Sequence, residues 1–178
     1  MGGHVVSPQT PLPLVSPGPA HFVIVDNYLK YSNLKSLKES SKQMQLAWIK
    51  KDLAATEKHW KFVILHKPGW SAGGDPGHSN YHEIQKSIQP LLVKFHVTAL
   101  FTGHNHIYSR ALVNGVYHIT TGGGGAPLHN IDPNSPNILT AKKTHHYCKV
   151  QINNDVMAFT AVEPNGSVID SFAFGANH

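Results

Sequence analysis

The sequence contains little cysteine, few charged residues and no long apolar runs, and each of these features limits what the protein can be. A single cysteine among 178 residues, Cys148, excludes a disulfide within the chain. Uninterrupted apolar stretches fall short of the roughly 18 residues that a membrane-spanning helix needs. The first residues have neither the charged start nor the apolar core of a signal peptide, so we expect no export and a cytoplasmic location for the expressed chain.

Charge is sparse, and its distribution argues against nucleic acid as a partner. Asp, Glu, Lys and Arg make up 14% of the chain, and the formal net charge is +5. Eight of the fifteen basic residues lie in the range 30–61, where an amphipathic pattern favours a solvated helix face. Aromatic residues are not interleaved with these lysines, as a nucleic-acid surface would require. We therefore expect neither nucleic acid nor a membrane as a partner.

Histidine is the residue type present in excess. Fourteen histidines lie along the 178 residues, and they are spread out rather than gathered in a tag-like run. Imidazole is the usual nitrogen ligand for zinc, iron and similar metals. The positions of these histidines therefore need an explanation.

Short apolar segments rich in β-branched residues are typical of buried strands. Such segments cover residues 21–26, 61–66, 96–102 and 115–121, and a glycine-rich run, 122–125, follows the last of them. Three more strands are expected at 147–152, 156–162 and 168–174, with turn signals between them at 153–155 and 164–166. Residues 1–20, rich in proline, glycine and serine, predict an extended lead-in.

Two amphipathic helices are predicted between the first three strands. Ser40 and Gln43 match a capping box for the first helix, and Asn80 and Glu83 match a start for the second. Pro90 is expected to bend the second helix or to lie near its first turns. The expected buried stripes are Leu46, Ile49 and Leu53, with Trp48 beside them, and then Ile84, Ile88, Leu91, Leu92 and Phe95.

The order of these elements predicts one domain over residues 1–178. Strands that alternate with helices favour a mixed or parallel sheet with helices packed against it, and the final strands favour antiparallel hairpins. The fold class is therefore α/β or α+β. The long irregular segment 67–79 is the kind of loop that often carries function.

Three histidines follow two neighbouring predicted strands. His66 ends the second strand, and His104 and His106 follow the third. Ligands bind outside the carboxyl ends of strands in open α/β sheets, so these imidazoles are expected to converge. Gly103 permits a tight turn before the pair, and alternation along an extended segment would point both rings the same way. The alternative for the pair is two polar residues on an exposed strand face.

Several motifs in residues 18–128 carry a family resemblance. GHNHIYSR, residues 103–110, resembles the Gly-His-x-His-x-Tyr-x-Arg signature of calcineurin-like metallophosphoesterases, especially their purple-acid-phosphatase-like branch. GPAHFVIVDN at 18–27, the Gln45, Trp48 and Leu53 helix, and VILHKP at 63–68 resemble other family motifs in the same order. The resemblance implies part of an αββα sandwich with a mixed sheet, two main helices and antiparallel C-terminal strands.

The resemblance also implies roles for single residues. His66 and His104 match ligands of one metal, and His106 matches a ligand of a second. His78 lies near a family histidine that reaches toward the substrate phosphate, and His82 is the alternative. Tyr108 and Arg110 match signature positions. Arg110 is interpreted as a substrate-binding residue, with a buried or bridging ion pair as its alternative.

Carboxylate ligands are what the matched region lacks. Family members use two metals that clamp the phosphate and lower the pKa of a bridging water. Their carboxylate motifs lie in the first half of the family fold, and Asp26, Asp52 and Asp75 are in no such motif. The start of the chain, residues 1–4, is similar to a Gly-Asn-His-Glu/Asp motif with Asn replaced, which makes His4 a candidate catalytic residue. A coincidence is the alternative.

The sequence therefore resembles the C-terminal half of a metallophosphoesterase, and two expectations follow. A half-fold would expose apolar surface, so we expect a homo-oligomer, most simply a C2 dimer. The metal site would have to be rebuilt from histidines and water, an arrangement that suits Zn, Fe or Mn. His78, His82, His4 or a histidine of a second copy would then add ligands or act as general acid. The adjacent His145 and His146 are expected to be surface residues facing opposite ways.

The expected function is hydrolysis of phosphate monoesters or diesters by a metal-activated water at this His-rich site. Two alternatives stay open. One is a catalytically inert metal-binding or phosphate-binding protein, and the other is a hydrolase of other activated esters.

Overall fold

The computed structural model of the protein describes residues 18–26 and 35–175. Most of the predicted lead-in, and His4 with it, lies outside these ranges. The described residues form nine strands and two main helical segments. Among them, no helix is both long enough and apolar enough to cross a membrane.

The larger sheet has six strands and mixed direction. The strands are β1 (Ala20–Ile24), β2 (Trp60–Ile64), β3 (Ala99–Thr102), β4 (Tyr108–Val113), β5 (Val116–Thr121) and β6 (Ile138–Lys142). Their spatial order is β1-β2-β3-β5-β4-β6, and the first four in that order run parallel. The carboxyl ends of β1, β2, β3 and β5 therefore meet at one edge, as the strand order predicted.

The second sheet has three antiparallel strands, β7 (Tyr147–Ile152), β8 (Val156–Val162) and β9 (Val168–Gly175). It packs on one face of the larger sheet through a core of Phe62, Tyr108, Ile119 and Phe159, all 0% exposed. Alternate strand residues point the other way, toward the helices, because successive side chains in a strand face opposite sides. Val23, Val63 and Leu100 are examples of these helix-facing residues.

Helix α1 (Lys35–Ala55) buries the predicted stripe but starts earlier than predicted. Ile49 and Leu53 are buried, and Leu46 and Trp48 pack against the same core. The predicted capping box at Ser40 and Gln43 is wrong, since both residues lie inside the helix. Gln43 instead donates to Glu39 one turn earlier, at 2.8 Å.

The second helical segment is a π-helical turn, Ile84–Ile88, that continues into α2 (Gln89–Lys94). Pro90 lies in the first turn of α2, at the junction with the π-helical turn. The predicted start at Asn80 is wrong, because its Oδ1 accepts a hydrogen bond from the Ser71 N–H at 2.7 Å. The predicted stripe is confirmed, with Ile84, Ile88 and Leu92 buried and Leu91 and Phe95 packed against them.

Two strands of the larger sheet, β4 and β6, were not predicted. β4 pairs with β5 through a two-residue turn at Asn114 and Gly115, with φ values of 48° and 81°. An Asn-Gly pair between apolar runs is a strong hairpin signal, so β4 was recoverable from sequence. β6 pairs with β4, but no residue of β6 is fully buried and Leu139 and Lys142 are exposed, so it lacks a buried-strand pattern.

The two sheets are joined by a buried ion pair. Arg110 on β4 donates to Asp170 on β9 from Nε at 2.6 Å and from Nη2 at 3.0 Å. The Tyr108 hydroxyl donates to the same carboxylate at 2.7 Å, and the guanidinium lies 4.5 Å from the Phe172 ring centroid. Burial opposes ionisation of Asp170, but the hydrogen bonds from Arg110 and Tyr108 outweigh it and lower its pKa. This arrangement favours the bridging ion pair over a substrate-binding role for Arg110.

Candidate metal and phosphate site

Five histidines meet at the carboxyl edge of the parallel strands. His66 follows β2, His78 lies in the long loop after it, and His104 and His106 lie between β3 and β4. The fifth, His129, comes from the loop after β5. Ring centroids are 5.0 Å apart for His66 and His104, 4.9 Å for His78 and His104, and 4.1 Å for His106 and His129. The predicted convergence of His66, His104 and His106 is therefore observed, and His78 joins them.

The segment that carries His104 and His106 is a double bend rather than an extended strand. The Asn105 N–H donates to the Gly103 carbonyl at 2.7 Å, and the Ile107 N–H donates to the Asn105 carbonyl at 2.8 Å. His104 has φ 63°, a left-handed conformation that is uncommon for a residue with a Cβ. The predicted extended geometry, with Gly103 as the turning residue, is thus wrong. The bend still leaves both imidazoles near His78.

The buried side chain of Asn105 anchors this bend to the protein interior. Its side chain is fully buried, and its Nδ2 donates to the Ser71 hydroxyl at 2.9 Å. Two glycines allow the close packing around it. A Cβ at Gly73 would lie 2.4 Å from Asn105 Nδ2, and a Cβ at Gly122 would lie 2.1 Å from the Asn105 carbonyl oxygen. Gly122, the first residue of the glycine-rich run after β5, therefore lets the backbone pack closely against Asn105.

His66 and His104 present ring nitrogens to one another. His104 Nδ1 and His66 Nε2 are 3.1 Å apart. The other nitrogen of His104, Nε2, is 2.9 Å from the Tyr81 hydroxyl, which itself donates to the Gly77 carbonyl at 3.3 Å. A hydroxyl whose hydrogen is used in this way accepts from Nε2–H, so in a neutral His104 the lone pair is on Nδ1 and faces His66 Nε2.

His106 is oriented in the complementary way. Its Nδ1 lies 2.8 Å from the Pro127 carbonyl oxygen. A carbonyl only accepts hydrogen bonds, so Nδ1 carries the hydrogen and Nε2 carries the lone pair. A backbone carbonyl that fixes the tautomer in this manner is the usual outer support of a metal-binding histidine.

The pKa values of three cluster histidines are lowered, first of all by burial. For His66 the positive charge of Lys67 adds to the effect, and for His104 and His129 neighbouring histidines do. Neutral imidazole is the form that binds metals. The site therefore keeps these three rings neutral over a wider pH range than free histidine would be, which suits metal binding at His66 and His104.

The spacing of the His66 and His104 nitrogens suits two ligands of one metal ion, but the ligand set is incomplete. Two nitrogens bound to one tetrahedral zinc at about 2.05 Å lie about 3.3 Å apart, close to the separation of His104 Nδ1 and His66 Nε2. Across residues 18–26 and 35–175, however, no group of three or more His, Cys, Asp or Glu residues is placed to hold one ion. Asp52 accepts from His21 at 2.6 Å, and Asp75 is held by Asn130.

A cleft of 390 Å³ opens beside His66, the cluster histidine that lines it. Its walls come from the ends of β1, β2 and β3 and from the segments that follow them. It is lined by Ile24, Val25, Ile64, Leu65, His66, Phe101, Thr102, Gly103 and Thr121. His66 therefore lies where a small ligand entering at the sheet edge would meet it.

Two other predicted histidine positions lie outside the cluster. His82 is exposed, and its Nδ1 is 3.0 Å from Gln85 Oε1 on the same helical segment. His145 is exposed, as predicted, but the surface assignment is wrong for His146. That ring is only 6% exposed, and its Nε2 is 3.1 Å from the Thr121 hydroxyl.

Comparison with known proteins identifies the family. The model of the calcineurin-like phosphoesterases matches residues 9–108. The chain belongs to this family. Human tartrate-resistant acid phosphatase type 5 is 30% identical over 131 residues, which cover 68% of this chain and 39% of the human protein. Purple acid phosphatase 23 of Arabidopsis thaliana is 25% identical over 139 residues, covering 76% of this chain and 26% of the plant protein.

Solved structures agree with the family at the level of fold. A purple acid phosphatase from yellow lupin (Lupinus luteus) seeds superposes with a TM-score of 0.69 at 21% identity, covering 89% of this chain and 31% of the lupin chain. GAP50, the anchor in the inner membrane complex of Plasmodium, gives 0.72 at 18% identity, covering 88% and 49%. The chain thus spans between a quarter and about two fifths of the length of the curated relatives described above.

His129 is the member of the cluster that sequence interpretation missed. The signal was present, because His129 follows a strand and the glycine run 122–125. Two further contacts, Tyr81 with His104 and Pro127 with His106, had no sequence signal. They depend on loop conformation, which no periodicity specifies.

Proposed function

We propose that the protein is a metal-dependent phosphoesterase that hydrolyses phosphate monoesters or diesters at the histidine cluster. The observation that carries this proposal is the facing pair of His66 Nε2 and His104 Nδ1 at 3.1 Å, beside a His106 whose tautomer leaves Nε2 free. Family membership supports the same reaction class.

The residues suited to hold metal are His66 and His104 for one ion and His106 for another. All three supply imidazole nitrogen, which suits Zn, Fe or Mn. A bound ion of this kind polarises phosphoryl oxygens and lowers the pKa of a bound water. The carboxylate ligands that relatives use are not in this cluster, so further ligands must come from outside the described residues or from water.

His78 is the best-placed candidate for contact with the substrate. Its ring lies 4.9 Å from that of His104 and 6.5 Å from that of His106, so it borders both proposed metal positions. Its Nδ1 donates to the Pro76 carbonyl at 3.1 Å, so the proton that a protonated His78 gives to a leaving group is the one on Nε2. His82 and His4 stay predictions as further contributors, since His82 lies apart from the cluster and His4 lies outside the described residues.

A second candidate function is binding of metal or phosphate without hydrolysis. It is favoured by the absence, within the described residues, of any three-ligand group for one ion. It predicts bound metal or phosphate with no turnover at any pH or metal supplement. The remaining alternative is a hydrolase of other activated esters. A substrate panel on the same preparation tests it, and hydrolysis of carboxyl esters in place of phosphate esters would support it.

The decisive experiment is substitution of His104 by alanine in the purified chain. We expect loss of bound metal by elemental analysis and loss of nitrophenyl phosphate hydrolysis, because the facing ligand pair is destroyed. His96→Asn is the matched control. His96 is exposed, precedes β3 at the opposite end of the sheet and has φ 52°, which asparagine tolerates. Full activity and metal content in the His104 variant would refute the proposal.

A further inference from the structure

His129 differs from the other cluster histidines in how its ring is held. The His106 backbone N–H donates to His129 Nδ1 at 3.1 Å. The His129 backbone N–H donates in return to the His106 carbonyl at 3.2 Å. The two rings stack at 4.1 Å with an interplanar angle of 20°. His129 is therefore bound to the double bend by backbone, side chain and ring contacts together.

The hydrogen bond from the His106 backbone N–H to His129 Nδ1 fixes the tautomer of His129. A backbone N–H can only donate, so Nδ1 must hold the accepting lone pair. The hydrogen of a neutral His129 ring is then on Nε2. In neutral His104 and His106, one ring nitrogen donates to Tyr81 or Pro127 and the other nitrogen is an acceptor. In His129 the anchored nitrogen is the acceptor, so the other nitrogen is a donor.

The Nε2–H of His129 is available to a ligand. Among residues 18–26 and 35–175, it makes no hydrogen bond. The ring lies between those of His78, at 3.9 Å, and His106, at 4.1 Å, and it is partly exposed. A fixed N–H donor beside proposed metal ligands suits an oxyanion and does not suit a metal, which needs a lone pair.

We infer that His129 binds a phosphate oxygen of the substrate through Nε2–H and is not a metal ligand, with the His106 backbone setting its tautomer. The inference rests on the proposed phosphoesterase function and deepens it, because it assigns a substrate contact to the loop after β5. The same contact would hold inorganic phosphate as a product.

Two isosteric variants separate the two nitrogens of the ring. Asparagine at 129 places an oxygen near the position of Nδ1, so it keeps the acceptor for the His106 N–H and loses the Nε2 donor. Glutamine places an amide N–H near the position of Nε2, so it keeps the donor and loses the acceptor. His96→Asn again serves as the control.

The probe is inorganic phosphate, titrated calorimetrically into the metal-loaded chain. A hydrogen bond to a charged group contributes about 1.5–3 kcal/mol, so His129→Asn should weaken phosphate binding by about tenfold or more. His129→Gln should retain most of the affinity while shifting the His106 amide resonance. Metal content should stay unchanged in both. Unaltered phosphate affinity in His129→Asn, or metal loss in either variant, would overturn the inference.

A second readout needs neither metal nor turnover. Long-range nitrogen–proton correlation spectra of the imidazoles report the tautomer of His129 directly, and we expect hydrogen on Nε2. Hydrogen on Nδ1, or a mixture of tautomers, would overturn the inference. A wild-type chain that binds phosphate but hydrolyses nothing would instead contradict only the proposed function, and failure to bind phosphate at all would contradict the inference as well.

Discussion

At the scale of single residues, the site depends on a few close approaches that tolerate no added atom. Asn105 turns inward with its side chain fully buried, while its neighbours on either side turn outward as proposed ligands. Gly122 lies against its carbonyl group. The position of two imidazoles is therefore set by a residue that bears no metal-binding group and by a glycine on another strand end.

Gly122→Ala tests this support. The new Cβ would lie 2.1 Å from the Asn105 carbonyl oxygen, which is backbone and cannot rotate away. We expect a loss of at least about 2 kcal/mol in the free energy of unfolding, measured in urea, together with weaker metal binding. Gly124→Ala is the matched control, because a Cβ there meets nothing within 4 Å. Equal stability of the two variants would contradict the close-packing role.

At the scale of elements, a buried polar link joins the larger sheet to α2. His118 on β5 is 1% exposed, and its Nε2 lies 2.8 Å from the Gln89 Oε1. Gln89 Nε2 donates to the Val113 carbonyl at 2.9 Å, so its Oε1 accepts from His118. Burial lowers the pKa of His118 to about 4. The link therefore requires a neutral ring.

The link predicts a loss of stability in mild acid. Unfolded histidine takes up a proton near pH 6.5, whereas folded His118 resists it until about pH 4, so stability falls as the pH drops between these values. At pH 5 the contribution is about 2 kcal/mol. His118→Gln, which keeps an N–H near Nε2 but does not titrate, should reduce the difference between urea unfolding at pH 7 and pH 5 by that amount.

The exposed His145→Gln is the control for this measurement, since it removes a histidine without removing a buried ring. It should reproduce the wild-type pH dependence. If His118→Gln also does so, the acid sensitivity comes from other buried histidines and the link is not its source.

At the scale of the whole molecule, the second sheet exposes apolar side chains. Tyr147 is 57% exposed and Val168 60%, and both pair with Val162 between them. Within the described residues, the edge strands β1, β6, β7 and β9 each pair on one side only. Unpaired edges and apolar faces favour association between chains.

We therefore expect a homodimer in solution, measured by size-exclusion chromatography with light scattering. Replacing Tyr147 and Val168 together by lysine should shift the protein toward monomer, because charge is costly to bury at an interface. Met44→Lys, an exposed position on helix α1 and not on a sheet edge, is the control and should leave the mass unchanged. A monodisperse wild-type monomer would contradict the expectation.

The sequence by itself determined seven of the nine described strands, the buried stripes of both helices and the convergence of His66, His104 and His106, because hydrophobic periodicity and motif order can be read along the chain. The tertiary structure alone decided what those residues do with their ring nitrogens. His129 lies in the cluster, and Arg110 forms an ion pair with Asp170. Tyr81 and Pro127 fix the tautomers of His104 and His106. These contacts join residues far apart in sequence, and their hydrogen-bond directions arise only when the loops are packed.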